Sequence, residues 1–589
     1  MKKGKTKHYS LLFKYIKPFK KEFILAFSLT IIEASLEMFV PFLMNYLLSL
    51  GVYQDKYNKY QINLDNLIII SLIMVVCAVL AFLFGTLSAK FVANAGRKFG
   101  ANLRLETYKK VQDFSFNNID NLRQSSLITR LTDDNQIIQN TFCTNFRPLV
   151  RAPILLICSI IFSLIISPHL SIYLFVPMMI LCAAYAVIIK KVRPRYKEMQ
   201  STTDLLNQDT QEAIKNVKTI KSYVKEDYEI SKFNSINSSL KVVSNRSYSM
   251  TALSMPVLNV VVFSTIVIIL YVGGRFVIND KYMITTVNIS AFLTYLHQSL
   301  GAFRMINNGL TNVNRADASV VRTCELLQTE IDLKFNNDSK LKIDNGDITF
   351  KNVFYKSSLE QENYVLSDIN LSIKSGEFVG IIGPTGAGKS TLVNLIDRFY
   401  DVSDGEILIS GNNVKDYAEF ELHKNIGFCF QSPLLFKGTV LENLKFGNPD
   451  ATMDEVIEAC KIACCYDFIK NHLDNGFNTE ISEGGTNVSG GQRQRICIAR
   501  AIISKPKILI FDDSFSALDR VTETTLKDNL KHNLLGITKI IISQKISTIE
   551  DADKIIVLNE GKLENIGTND DLIISDRIYK DMVKSQKGV

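Results

Sequence analysis

Nine consecutive residues, Gly383, Pro384, Thr385, Gly386, Ala387, Gly388, Lys389, Ser390 and Thr391, have the types and spacing of a phosphate cradle. They follow the apolar run Phe378–Ile382, so a β-branched stretch delivers the chain into a glycine-rich loop. Three glycines let backbone N–H groups turn inward, and a helix beginning at Lys389 aims its positive dipole end at the same point. In such a loop Lys389 reaches the β- and γ-phosphates of a nucleotide, and the Ser390 hydroxyl ligates Mg2+. A chance glycine-rich turn seldom has the full G-x-x-x-x-G-K-[ST] spacing between a strand and a helix.

Further polar groups follow at the ends of apolar runs. F-C-F-Q-S-P places Gln431 just after a strand, and V-S-G-G-Q-R-Q-R opens a helix with Ser489, Gly490, Gly491 and Gln492. The run Ile508–Phe511 leads into Asp512 and Asp513, S-A-L-D ends at Asp519, and another buried strand ends at Gln544. Strands alternating with helices make residues 347–585 an α/β P-loop NTPase domain, joined through a polar linker at 321–346.

What carries this domain is a membrane half. Apolar segments near Phe23–Leu48, Leu67–Phe91, Phe146–Ile166, Leu170–Ile189, Leu253–Val272 and Ile284–Ile306 each approach the roughly 20 residues that cross hydrocarbon. They predict an α-helical membrane domain at 22–320 with six transmembrane helices. The links at 92–145 and 190–250 are long and rich in Lys and Arg, which places them, both termini and the α/β domain in the cytosol of a multi-pass inner or plasma membrane protein. Their periodicity, as in Leu205–Phe233 with Ile214, Val217, Ile220 and Val224, predicts long cytosolic helical extensions rather than loops. At residues 1–21, Leu12, Tyr15, Ile16 and Phe19 share one face among lysines, the pattern of an interfacial helix in contact with membrane lipid. The first apolar segment is too long for the core of a removable signal peptide.

The net charge of +8 is accounted for by these flanking basic links, and nucleic acid is not expected as a partner. Ten cysteines without a C-x-x-C pair or a metal-spaced His cluster argue against a disulfide framework. Inside the first span Glu33 and Glu37 lie four apart. They read equally as a substrate-cavity contact for a cation or proton and as hydrogen-bond partners of a neighbouring helix. Arg147 and Arg151 share that spacing near the cytosolic boundary, where snorkelling explains them. His297 reads as an interhelical hydrogen-bond partner.

Taken together, the chain resembles a half-size ABC transporter of the exporter type, and V-S-G-G-Q after a Gln431 loop and before the Asp512 strand is the specific element. The resemblance implies that Ser489 to Gln492 bind the γ-phosphate of ATP held by the opposite subunit. Asp512, Ser390 and Gln431 would hold Mg2+, Gln431 would also sense the γ-phosphate, and Asp519 would face the partner's site. ATP binding would close two nucleotide domains and switch a cavity from inward- to outward-facing. An amphipathic, drug-like small molecule is the expected substrate; a lipid or peptide exporter and a non-pumping ATP-gated conduit or sensor are the alternatives.

Two residues depart from that family. The catalytic carboxylate, Glu in competent members, is Asp513, and the switch His is Gln544. Shortening by one methylene withdraws a base by about 1 Å, enough to cost about a hundredfold. Gln544 bonds phosphate but does not titrate near neutrality. The pattern resembles the slow-site subunit of a heterodimeric bacterial exporter, so a second half-transporter with a competent Glu and His is the favoured partner, a homodimer the alternative. For the adenine-stacking aromatic, the family spacing falls on Ser357, and a bulge that shifts Tyr355 into place is the alternative.

Overall fold

The computed structural model describes residues 10–54, 60–62, 64–122, 124–279, 281–282, 284–357 and 363–587. The chain divides into two units, one of residues 1–111 and 125–328, the other of 112–124 and 329–589.

The first unit is built of long helices, Lys20–Gly51, Leu64–Gln112, Asn135–Ile166, Pro168–Lys215, Glu226–Ala252, Ser254–Ile278 and Thr286–Gln328. Among the described residues five helical stretches are long and apolar enough to cross a membrane, one fewer than the six segments read from the sequence. The helix expected to hold the sixth does form as Thr286–Gln328, but Asn288, His297 and Gln298 make it more polar. Its apolar face buries Phe292, Tyr295, Leu296 and Phe303 against Leu155, Leu174 and Leu258, so packing between helices compensates. His297 lies on its exposed face and has no hydrogen bond among the described residues, contrary to the interhelical bond expected.

Three further expectations change. The face holding Leu12 and Ile16 is covered by Phe99, Leu103, Ile138 and Val320, so protein rather than lipid buries it. The helix read across Leu205–Phe233 breaks at Asn216 and again at Tyr223–Lys225, where Val224 takes a left-handed φ of 53°. That conformation is costly for a β-branched residue, and it turns the chain back. The Pro168–Lys215 and Glu226–Ala252 helices then run antiparallel, with Lys232 Nζ 2.6 Å from Asp209 Oδ1 and the Ser247 hydroxyl donating to the Arg195 carbonyl at 3.1 Å. Ile214 and Val224 stay exposed.

The third change concerns Arg147 and Arg151, which do not snorkel. Arg147 Nη2 lies 2.5 Å from Glu33 Oε1, and Arg151 pairs with Glu37 and approaches Glu33 at 3.8 Å. Two i, i+4 pairs on different helices therefore meet as a ladder of opposite charges, each side bringing what the other needs in a poorly hydrated place. Gly85 on the neighbouring helix makes room, since a Cβ there would stand 2.8 Å from Arg147 Nη2.

In the second unit a six-stranded sheet runs in the order Lys562–Gly567, Lys554–Asn559, Phe378–Ile382, Thr538–Ile542, Ile508–Asp512, Ile426–Cys429. All neighbours are parallel except the first pair. The central strands Phe378–Ile382, Ile508–Asp512 and Thr538–Ile542 are buried along their whole length, as parallel strands covered on both faces must be. An antiparallel sheet of Leu366–Ile373, Ile348–Tyr355, Asp404–Ile409 and Asn412–Asn413 lies in the same unit.

Candidate nucleotide site

Because Phe378–Ile382, Thr538–Ile542 and Ile508–Asp512 are adjacent and parallel, their carboxyl ends bring three separate loops together. Those loops carry Gly383–Thr391, Gln544 and Asp512–Asp513, at the edge where open α/β sheets bind ligands. The phosphate loop leads straight into the Lys389–Ile396 helix. Gly388, at φ 92°, caps that helix, and a Cβ on it would stand 2.7 Å from Leu366 Cδ2, so glycine is required there. Lys389 Nζ donates to the carbonyl oxygens of Gly383 and Pro384, each at 2.8 Å, which folds it over the cradle. Burial holds its pKa below the usual lysine value.

The Ser390 hydroxyl donates to Asp512 Oδ1 at 2.9 Å, so two of the expected Mg2+ ligands already touch. Hydroxyl, carboxylate and amide oxygens are the hard donors that Mg2+ takes, and the residues fit that ion. Gln431 is turned instead toward Asp513, its Nε2 donating to Oδ2 at 3.4 Å. Burial raises the pKa of both Asp512 and Asp513 above the ordinary carboxylate value. Asp513 has a φ of 46°, a left-handed conformation that Asp adopts more readily than most residues. Gln544 is exposed two residues past the strand that pairs with Ile508–Asp512.

Ser489 sits at the N-cap of the Gly490–Ile503 helix and closes a reciprocal capping box with Gln492: Ser489 N–H to Gln492 Oε1 at 2.9 Å, Gln492 N–H to Ser489 Oγ at 3.2 Å. A Cβ on Gly490 would meet nothing within 4 Å, so the helix N-terminus is open. Among the described residues no hydrogen bond joins Ser489–Gln492 to the phosphate loop. Asp519 caps the Arg520–Asn533 helix, accepting from the N–H groups of Thr522 at 3.0 Å and Val521 at 3.1 Å, and these bonds lower its pKa.

Tyr355 is not available to adenine. The strand holding it does carry register shifts at Phe350/Val353 and Val353/Tyr355, but they leave Tyr355 buried in the core, its ring 5.8 Å from that of Tyr400. Tyr364 is 44% exposed, its ring set edge-on to Phe354 at 5.3 Å, with Lys356 Nζ 4.5 Å from its centroid. The next residue, Val365, has its carbonyl oxygen 3.3 Å from the Cβ position of Gly388, which places this segment against the phosphate loop. No motif marks Tyr364; an aromatic just before a strand that abuts the loop was the only signal.

Comparison with known proteins agrees with this geometry. Residues 23–303 match the family described as the ABC transporter transmembrane region, and residues 366–516, which span the phosphate loop, Ser489–Gln492 and Asp512–Asp513, match the family described as ABC transporter. YfiB of Bacillus subtilis (strain 168), named as an uncharacterized ABC transporter ATP-binding protein, is 32% identical over 98% of both chains. The putative ABC transporter ATP-binding protein MG014 of Mycoplasma genitalium is 30% identical over 89% of this chain and 86% of its own. In fold, the chain is similar to a bacterial Atm1-family ABC exporter solved with ATP bound, at TM-score 0.82, 22% identity, and coverage of 96% and 99%. With one transmembrane region and one ATP-binding domain fused in one chain, and with relatives matched end to end, this protein belongs to the ABC transporters as a half-transporter.

Proposed function

We propose that this chain is the slow-site half of a heterodimeric exporter that uses ATP to move an amphipathic or drug-like compound out of the cell, with both termini cytosolic. The observation that carries the reading is the contrast inside one domain. Lys389, Ser390, Asp512 and the Ser489–Gln492 signature are of the types that bind nucleotide, whereas Asp513 and Gln544 stand in place of the two groups that activate water. Lys389, Ser390 and Asp512 hold the phosphates and Mg2+, which when bound neutralises the charge that develops on the phosphates. Ser489–Gln492 serve the partner's ATP through an open helix N-terminus. Tyr364, not Tyr355, presents its ring to adenine. Glu33 and Glu37 are already matched by arginines, so a cationic substrate reaches them only by displacing Arg147 and Arg151.

The test is transport. Inverted membrane vesicles containing this chain and its partner should accumulate a fluorescent lipophilic cation when ATP is added, and Lys389→Ala should abolish the accumulation. Uptake that ignores ATP, or that survives Lys389→Ala unchanged, would count against the proposal.

A further inference from the structure

We propose that Gln586, on the Arg577–Lys587 helix, is a positioning residue for ATP hydrolysis that clamps the loop presenting Gln544. One side-chain amide closes two bonds on that loop. The Ile546 N–H donates to Gln586 Oε1 at 2.9 Å, and Gln586 Nε2 donates to the Gln544 carbonyl oxygen at 2.7 Å. Together they span Gln544-Lys545-Ile546 as a neighbouring strand would, and only an amide offers both a donor and an acceptor in that fork.

The clamp has a fixed base. Tyr579 on the same helix is fully buried, its N–H donating to Asp576 Oδ1 at 2.7 Å and its hydroxyl to Asn569 Oδ1 at 2.8 Å. Met582 and Val583 pack on the core cluster that includes Ile546 and Ile549. A second element holds the loop farther along: buried Glu523 accepts from the Thr548 hydroxyl and pairs with Lys545 Nζ at 3.4 Å. Between them, Glu523 and Gln586 leave the exposed Gln544 side chain as the free part of an otherwise tethered loop. A switch side chain gains from this because a displacement of about 1 Å costs about a hundredfold in rate.

The inference rests on the reading that Gln544 acts at the γ-phosphate, and the test separates the two. Full-length protein in lipid nanodiscs is compared as wild type, Gln586→Met, which keeps the length but neither bond, and Gln586→Glu, which keeps only the acceptor. Each is also made in a Gln544→Ala background. The readouts are amide exchange over 543–550, the single-turnover hydrolysis rate constant, followed over hours with protein in excess of ATP because this site is slow, and ATP affinity. In Gln586→Met the Ile546 amide should exchange about fivefold faster and hydrolysis should slow about three- to tenfold, with ATP affinity changed less than about twofold. Gln586→Glu should slow hydrolysis while sparing most of the exchange protection. In the Gln544→Ala background Gln586→Met should add nothing, as expected of residues acting as one unit. Unchanged exchange would show that no clamp exists; faster exchange with unchanged hydrolysis, or an equal slowing without Gln544, would overturn the positioning role. If Gln544→Ala alone hydrolyses as fast as wild type, the reading of Gln544 fails, and the positioning role fails with it.

Discussion

Asp513 and Gln544 follow adjacent strands, and in the proposed function both bear on one step, the activation and placement of the attacking water. As a base, Asp513 would be set back by about 1 Å relative to Glu, and burial raises its pKa without restoring that reach. The cradle shows the reverse, with Lys389 bonded across two loop carbonyls and Ser390 bonded to Asp512. In the proposed function binding is thus separated from turnover residue by residue. In that proposal Tyr364 stands on the binding side. Base–aromatic stacking is worth about 1–3 kcal/mol, so Tyr364→Ala should weaken ATP binding about tenfold. Tyr364→Phe should bind normally, and so should Tyr355→Phe, whose ring is core. Titration with ATP decides it; a loss at Tyr355→Phe with none at Tyr364→Ala would return the stacking role to the buried ring.

The Phe116–Leu122 helix, set between two long membrane helices in sequence, belongs to the ATP-binding unit. Its Phe116 ring lies 4.7 Å from Phe399, and Asp120 accepts from the Tyr400 hydroxyl at 3.1 Å. Phe399 stacks on Phe430 at 5.7 Å, and Phe430 directly precedes Gln431. An aromatic chain thus connects this helix with the loop expected to sense the γ-phosphate. Aromatic pairs contribute about 0.5–1.5 kcal/mol beyond burial, so Phe116→Ala should keep ATP binding while lowering dye transport per ATP hydrolysed several-fold. An unchanged ratio would remove this chain from the coupling route. The cradle, the capped Ser489 helix and the alternating strands were legible because each is written in a dozen consecutive residues. Contacts between distant segments were not. Both i, i+4 charge pairs could be seen, yet nothing in the sequence says that Glu33 and Glu37 meet Arg147 and Arg151. Val224 breaks a periodic helix because hairpin geometry outweighs local propensity. Gln586 lies in a polar stretch with no motif.

At the scale of the molecule, the signature helix is open at its N-terminus and, among the described residues, makes no hydrogen bond to the phosphate loop of its own chain, as the proposed arrangement of two half-transporters requires. In the proposed arrangement a second half-transporter supplies the other wall of the ATP site. Symmetry then decides the chemistry. Two copies of this chain would place Asp513 and Gln544 in both sites, and both would be slow. An unlike partner with Glu and His would leave one fast site, which receives this chain's Ser489–Gln492, and one slow site that keeps ATP through several cycles. The most direct measurement is steady-state ATP hydrolysis by this chain purified alone in lipid nanodiscs, repeated with Asp513→Glu and Gln544→His together. A nearly inactive wild type is expected, with a double variant that gains about a hundredfold. Brisk hydrolysis by a wild-type homodimer would contradict it and make Asp513 a competent base.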